Sequence, residues 1–79
     1  MVKLKNIKKN NATIECDIYP EDSKQSGHVT VALDSRTVSG YSLPNGYEWC
    51  RNHVNHAKTA LIELLEAEDL PTEYLVKWY

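Results

Sequence analysis

The residue types best suited to metal binding lie close together at Cys50, His53 and His56. Residues three or four apart share a face of a helix, so His53 could act with either neighbour as a pair of zinc ligands. Cys50 and His56 are about 9 Å apart along a helix axis, however, and cannot readily meet at one ion. The other cysteine, Cys16, stands alone in a strand-like segment. We therefore expect no metal site and no cofactor.

The same segment raises the question of nucleophilic catalysis. A cysteine near the start of a helix has a lowered thiol pKa, and a nearby histidine could serve as its base. Cys50 also falls on the apolar side of the predicted helix, where a buried thiol would be inert. The sequence offers no oxyanion hole beside it. We therefore expect that the protein is not an enzyme.

Four lysines near the N-terminus suggest a different chemistry. Lys3, Lys5, Lys8 and Lys9 occur with no acidic residue among the first ten, a local pattern typical of contacts to a nucleic-acid backbone. The whole chain nevertheless has a net charge of −2, and lysines also protect an edge strand from pairing with other chains. Nucleic-acid binding through these lysines is therefore the alternative function, and we consider it the less favoured one.

Acidic residues crowd the end of the predicted helix at Glu63, Glu66, Glu68 and Asp69. Negative charge at a helix C-terminus is unfavourable because the helix dipole is negative there. Either the N-terminal lysines lie alongside and compensate, or the patch attracts a basic partner surface. The sequence leaves both explanations open.

Every aromatic residue in the chain has a polar group, since there are five tyrosines, two tryptophans and no phenylalanine. Such residues are common at half-buried positions and as anchors of protein interfaces. They occur near the start of the helix and near the C-terminus, the latter at Tyr74, Trp78 and Tyr79. The candidate protein interface combines aromatic and acidic residues: Tyr41, Tyr47, Trp49, Glu63, Glu66 and Trp78.

The first half of the chain shows the period-two alternation of β-strands. Strands are predicted at 2–9, 13–19, 28–34 and 37–41, with a loop at 20–27 between the second and third.

Asparagines at 10–11 suit a two-residue type I′ turn between the first two strands. That turn places Ile7 opposite Ile14, but it also places Lys5 opposite Cys16, which would set a charged residue against an apolar one. A β-bulge at 5–6 would return the apolar residues to one face.

The second half shows the periodicity of a helix over 46–67, with Asn45 and Glu48 as a capping box. Pro71 ends the helix. The remaining residues, 72–79, could form a strand or a short helix, and their alternation favours the strand. The apolar stripe of the helix contains Cys50, Val54, Ala57, Leu61, Leu64 and Leu65.

These elements predict a single α+β domain over residues 1–79. An antiparallel β-meander of three to four strands is covered on one face by a single long helix, in the order β-β-β(-β)-α followed by a strand or a short helix. The other sheet face is left open to solvent. A composition of 42% hydrophobic and 25% charged residues is that of an ordinary globular domain.

Location and function follow from what the sequence lacks. No apolar run approaches the roughly 18 residues of a membrane span, and no secretory signal is present, so we expect a cytoplasmic protein without a membrane partner. Without a complete catalytic or metal site, the favoured function is a non-enzymatic protein–protein interaction module. Its partner is unknown, with a basic protein or a second copy of the chain as the partners considered.

Overall fold

Five antiparallel strands and one helix form the protein in the computed structural model, which describes residues 1–78. The strands follow the order β4-β3-β2-β1-β5 across one sheet. The predicted α+β meander with a covering helix is therefore confirmed, and Glu73–Val76 of the C-terminal segment form a strand. Tyr79 lies outside the described residues. The elements are β1 (Val2–Lys9), β2 (Thr13–Pro20), β3 (Gly27–Ala32), β4 (Val38–Ser42), α1 (Arg51–Leu64) and β5 (Glu73–Val76).

The core lies between α1 and one face of the sheet, where the helix contacts β1, β2, β3 and β5. Alternate strand residues supply the sheet side of the core, as the period-two pattern predicts. Each aliphatic side chain buried in this way contributes about 1.5–3 kcal/mol. Leu64 and Leu65 of the predicted helix stripe are only half-buried. The buried apolar residues are Val2, Leu4, Ile7, Ile14, Cys16, Ile18, Val29 and Val31 from the strands, and Cys50, Val54, Ala57, Ala60 and Leu61 from the helix side.

The predicted bulge in β1 is confirmed. The register of β1 against β2 shifts between Lys5 and Lys8. Asn6 lies at the shift with a φ of 55°, a left-handed conformation that asparagine tolerates better than most residues. As a result Val2 and Leu4 return to the buried face.

The turn that joins β1 to β2 differs from the prediction. It is centred on residues 11–12, and neither residue has the positive φ that a type I′ turn requires. The Asn10 side-chain oxygen instead accepts hydrogen bonds from the backbone N–H groups of Ala12 and Thr13, both at 2.8 Å. Ile14 consequently pairs with Lys9, so its predicted pairing with Ile7 is wrong.

The predicted start of the helix is also wrong. The helix begins at Arg51, and Cys50 occupies the N-cap position without a side-chain hydrogen bond. Gly46 has a φ of 86°, which interrupts helical backbone and separates Asn45 from the helix. Two turns precede the helix, closed by hydrogen bonds from the N–H of Tyr47 and the N–H of Cys50. The capping box therefore does not form.

The helix ends at Leu64, three residues before the predicted end. Turn-type hydrogen bonds continue as far as Ala67, whose N–H donates to the Leu64 carbonyl at 3.1 Å. In the described part of the chain, no helix is long and apolar enough to cross a membrane.

Candidate functional site

Cys50, the candidate nucleophile, is fully buried at the N-cap position of α1. Burial raises the pKa of its thiol, and the nearby Glu21 carboxylate raises it further. Both conditions oppose formation of the reactive thiolate. Cys16 is buried as well, and burial raises its pKa to about 12. Both cysteines are free thiols.

The two histidines of the segment contact aromatic rings. His53 is buried with 6% of its surface exposed, and His56 is half-buried. Both lie against Trp78, with ring centroids 4.9 Å away for His53 and 4.0 Å for His56. Within residues 1–78, no three histidine, cysteine, aspartate or glutamate side chains are grouped so that they could hold a metal ion.

A continuous series of ring contacts joins Tyr47, Trp49, His53, Trp78 and His56, which we call the aromatic cluster. Tyr47 stacks on Trp49 at 6.3 Å between centroids, and Trp49 meets the edge of His53 at 5.8 Å. The cluster closes at His56, whose ring lies parallel to Trp78 within 5°. The segment before α1, the first turns of α1 and the segment after β5 each contribute to it.

Trp49 is the exposed member of the aromatic cluster, with 67% of its surface accessible. Its Nε1–H donates to the Gly46 carbonyl at 3.2 Å, while its ring contacts Tyr47 and His53. These contacts fix the indole although most of it faces solvent. An exposed and oriented tryptophan is suited to anchor a protein interface because little side-chain entropy remains to be lost.

Acidic groups border the aromatic cluster on the loop between β2 and β3. The Tyr47 hydroxyl donates to Asp22 Oδ1 at 2.7 Å, a bond that raises the pKa of Tyr47. The N-terminal amino group of Met1 lies 2.7 Å from Glu21 Oε2. His53 Nε2 lies 3.7 Å from the same oxygen, which is beyond hydrogen-bonding distance.

Burial makes the charged form of His53 unfavourable. Neither ring nitrogen has a hydrogen-bond partner among the described residues. Desolvation lowers the pKa of His53, while Glu21 acts in the opposite direction. The aromatic cluster is therefore built around an imidazole that favours its neutral state.

The acidic residues at the helix end are exposed and lie in or just after α1. In the described part of the chain, no lysine or arginine lies within 4.0 Å of Glu63, Glu66, Glu68 or Asp69. The N-terminal lysines therefore form no ion pairs with this patch.

Three of those lysines face the open side of the sheet among acidic and aromatic neighbours. Lys8 Nζ lies 3.4 Å from Glu15 Oε1, and Lys5 Nζ lies 5.4 Å from the centroid of the Tyr19 ring. Lys3 pairs across the strands with the same tyrosine. Lys9 pairs with a core residue at the end of the hairpin.

The open face continues with His28, which lies between two acids. Its Nδ1 lies 3.0 Å from Asp17 Oδ1, and its Nε2 lies 3.7 Å from Glu15 Oε1. Hydrogen bonds from Asn6 and His28 hold the pKa of Asp17 below its usual value. The open face therefore carries basic and acidic side chains side by side, and it is not a basic surface.

Two grooves flank the helix. The groove beside β4 has a volume of about 440 Å³ and is lined by Tyr41 and Arg51 among others. The groove beside β5 has a volume of about 430 Å³ and is lined by His56, Glu63 and Tyr74 among others. Tyr41, with 46% of its surface exposed, therefore lies in the groove beside β4, which no residue of the aromatic cluster lines.

Of the six candidate interface residues, the structure brings Tyr47, Trp49 and Trp78 together. Glu63 lines the β5 groove instead, and Glu66 is exposed beyond the end of α1. The sequence interpretation missed His53 as the residue that connects the two tryptophans. Trp49 lies in the turn before α1, so the spacing of residues on a helix face could not predict its contact with His53.

Comparisons with protein-family models, with curated proteins and with solved structures find no match to this chain. A function for this chain is therefore inferred from the geometry of these surfaces.

Proposed function

We propose that the protein is a non-enzymatic, cytoplasmic interaction module that binds another protein through the aromatic cluster. The observation that carries this proposal is the state of Trp49, which is 67% exposed yet held by a hydrogen bond and two ring contacts. Leaving a large apolar ring in water costs free energy that burial in an interface would recover. Tryptophan is among the residues most enriched at the energetic centres of interfaces.

The surroundings of the aromatic cluster favour a basic partner. Asp22 lies beside Tyr47, and Glu63 near the end of α1 lines the same groove as His56. Carboxylates without basic neighbours would steer a positively charged surface towards the module. Self-association is part of the proposal too, because the sheet ends in short edge strands that another strand could extend.

A non-enzymatic role agrees with the burial of Cys50. A thiol with a raised pKa, sealed from solvent, is unsuited to attack a substrate. The aromatic cluster contains histidines, but it lacks an exposed nucleophile for them to activate.

The proposal is tested by affinity capture from the native host with quantitative mass spectrometry. Trp49→Ala should lower recovery of the specific partner by about 30-fold or more, the effect of losing an anchor worth at least 2 kcal/mol. Tyr41→Ala is the matched control, since it removes an exposed aromatic ring from the groove beside β4. Equal recovery with Trp49→Ala and the native chain, with both folded by circular dichroism, would refute the proposal.

Nucleic-acid binding remains the alternative function. Its support is the position of Lys3 and Lys5 around Tyr19 on the open face, where a base could stack between cationic groups. The acids Glu15 and Asp17 alternate with these lysines and would repel phosphates. Titration with single-stranded RNA and DNA at low salt decides the matter, and we expect no saturable binding.

A further inference from the structure

Strand β5 forms one edge of the sheet, and its outward backbone groups can be assigned from two hydrogen bonds. The Ile7 N–H donates to the Thr72 carbonyl, and the Glu21 N–H donates to the Met1 carbonyl, both at 3.0 Å. Backbone groups alternate between the two sides of a strand. The even-numbered residues of β5 therefore bond to β1, and the backbone groups of Glu73 and Leu75 point away from the sheet.

The side chains that accompany this open backbone are complementary to themselves. Leu75 has 43% of its surface exposed and pairs with Lys3, so it lies on the open face of the sheet. Glu73 precedes it by two residues and Lys77 follows it by two. A two-fold axis at Leu75 would place each Glu73 opposite the Lys77 of another copy.

We propose that two copies of this chain pair antiparallel through β5, with Leu75 opposite Leu75 at a two-fold axis. The inference rests on the self-association included in the proposed function and names its surface and register. Both edges meet in a hydrogen-bonded pair at Leu75, whose backbone groups point outward, and the same register sets Glu73 opposite Lys77, which directly follows the end of β5. The result is one continuous sheet with five strands from each copy.

Charge on the open face supports this register. Across the existing strands, His28 pairs with Asp17, Asp17 with Lys5, and Lys5 with Glu73. Lys77 of the second copy would lie opposite Glu73 and continue this alternation of charge. Opposite charges directly across a strand pair are stabilising, and like charges are destabilising.

On the helix side of the sheet, the same register sets Tyr74 of one copy opposite Val76 of the other. An aromatic residue opposite a β-branched residue is a favourable cross-strand pair. Tyr74 has 44% of its surface exposed in the single chain. Pairing would therefore cover exposed apolar surface on both faces of the sheet.

The neighbouring register is less favourable. Shifting the axis to Tyr74 would oppose Glu73 to Leu75 and Lys77 to Pro71, and proline has no N–H to donate. The other edge of the sheet, β4, has no charged residue, so it offers no such charge pairing. Residue complementarity thus favours β5 over β4, and the register centred on Leu75 over the one centred on Tyr74.

Sedimentation equilibrium on charge variants tests the pairing. The native chain should dimerise, and Lys77→Glu should raise the dimer dissociation constant about tenfold, because two attractive pairs become repulsive. Glu73→Lys should do the same. Mixing the two variants should restore a dimer of native affinity, since every Glu73–Lys77 contact in the mixed dimer again joins opposite charges.

Leu75→Pro provides an independent block, because it removes an outward N–H that the β1 pairing does not use. It should leave the chain folded by circular dichroism but monomeric. Tyr41→Ala and Trp49→Ala should leave the dimer unchanged, which separates this inference from the test of partner capture. A native chain that stays monomeric at about 1 mM would overturn the inference. A dimer that tolerates Lys77→Glu and Leu75→Pro would overturn it equally.

Discussion

At the scale of single residues, His53 connects the packing of the protein to its surface. Its ring is 6% exposed, touches Trp49 and Trp78, and has no hydrogen-bond partner at either nitrogen among the described residues. A leucine would fill a core position of this kind without desolvating polar atoms. The histidine contributes edge contacts to both tryptophans instead, and this orients the rings that form the aromatic cluster.

The pKa of His53 makes the stability of the fold depend on pH. Burial lowers this pKa in the folded state below its usual value near 6.5, so the unfolded chain binds more protons in the window below that value. The contribution of His53 to stability is therefore present above the unfolded pKa and is lost as the pH falls through the folded pKa. His53→Leu should reduce the loss of thermal stability on acidification from pH 7.5.

Thermal unfolding followed by circular dichroism from pH 7.5 to 5 measures this effect. His56→Leu is the matched control, since it makes the same substitution at a half-buried ring one turn further along α1. An identical pH dependence in His53→Leu and the native chain would show that His53 is not the responsible group.

At the scale of elements, the bulge in β1 decides which residues reach the core. With Asn6 at a φ of 55°, Val2 and Leu4 lie on the same face as Ile7. The Asn6 side chain also donates to Asp17 Oδ2 at 2.8 Å, which ties the bulge to β2. The conformation of one asparagine therefore controls the register of the strand that lies between β2 and β5.

Substitutions at Asn6 should separate the contribution of its left-handed backbone conformation from that of its side-chain hydrogen bond to Asp17. Asn6→Val should destabilise the fold by about 1–3 kcal/mol, because a β-branched residue is strained at positive φ. Asn6→Gly keeps that conformation accessible and loses only the side-chain hydrogen bond, so it should cost about 0.5–1.5 kcal/mol. Urea unfolding gives both values. A valine variant no less stable than the glycine variant would contradict this account of the bulge.

Regular alternation of apolar and polar residues made the strands, the buried face of the sheet and the bulge predictable from sequence. A register error in β1 would expose residues such as Leu4. The hairpin turn and the helix start were not predictable from local residue preferences. At the turn, the Asn10 side chain adds hydrogen bonds from the Ala12 and Thr13 N–H groups to the backbone bond between residues 10 and 13. Before the helix, the positive φ of Gly46 displaces the start to Arg51, although Asn45 and Glu48 match a capping pattern.

The candidate site was predictable in its residue types but only partly in its arrangement. Tyrosine and tryptophan without phenylalanine indicated contact surfaces, and Trp49 proved to be the most exposed large apolar residue among those described. Trp78 reaches His53 and His56 only because β5 pairs beside β1 and directs the chain end towards the helix. That non-local pairing has no local sequence signal.

At the scale of the whole molecule, one core supports two neighbouring surfaces. Leu61 is buried between the helix and the sheet, and the thiol of Cys50 is buried at the N-cap of the helix. The aromatic cluster presents Trp49 to a partner, and the edge of β5 presents Leu75 to a second copy. A dimer formed at that edge would display two aromatic clusters, so a partner with repeated binding segments would gain affinity through multivalency.

The central claim, that the aromatic cluster docks a protein, is tested most directly by photo-crosslinking in the native host. A photoreactive phenylalanine analogue is placed at Glu48, an exposed neighbour of Trp49, and in a second strain at Ser35 in the exposed turn before β4. We predict one specific adduct with a different protein from position 48, lost when Trp49→Ala is added, and none from position 35. Equal labelling from both positions, or a position-48 adduct that survives Trp49→Ala, would contradict the claim.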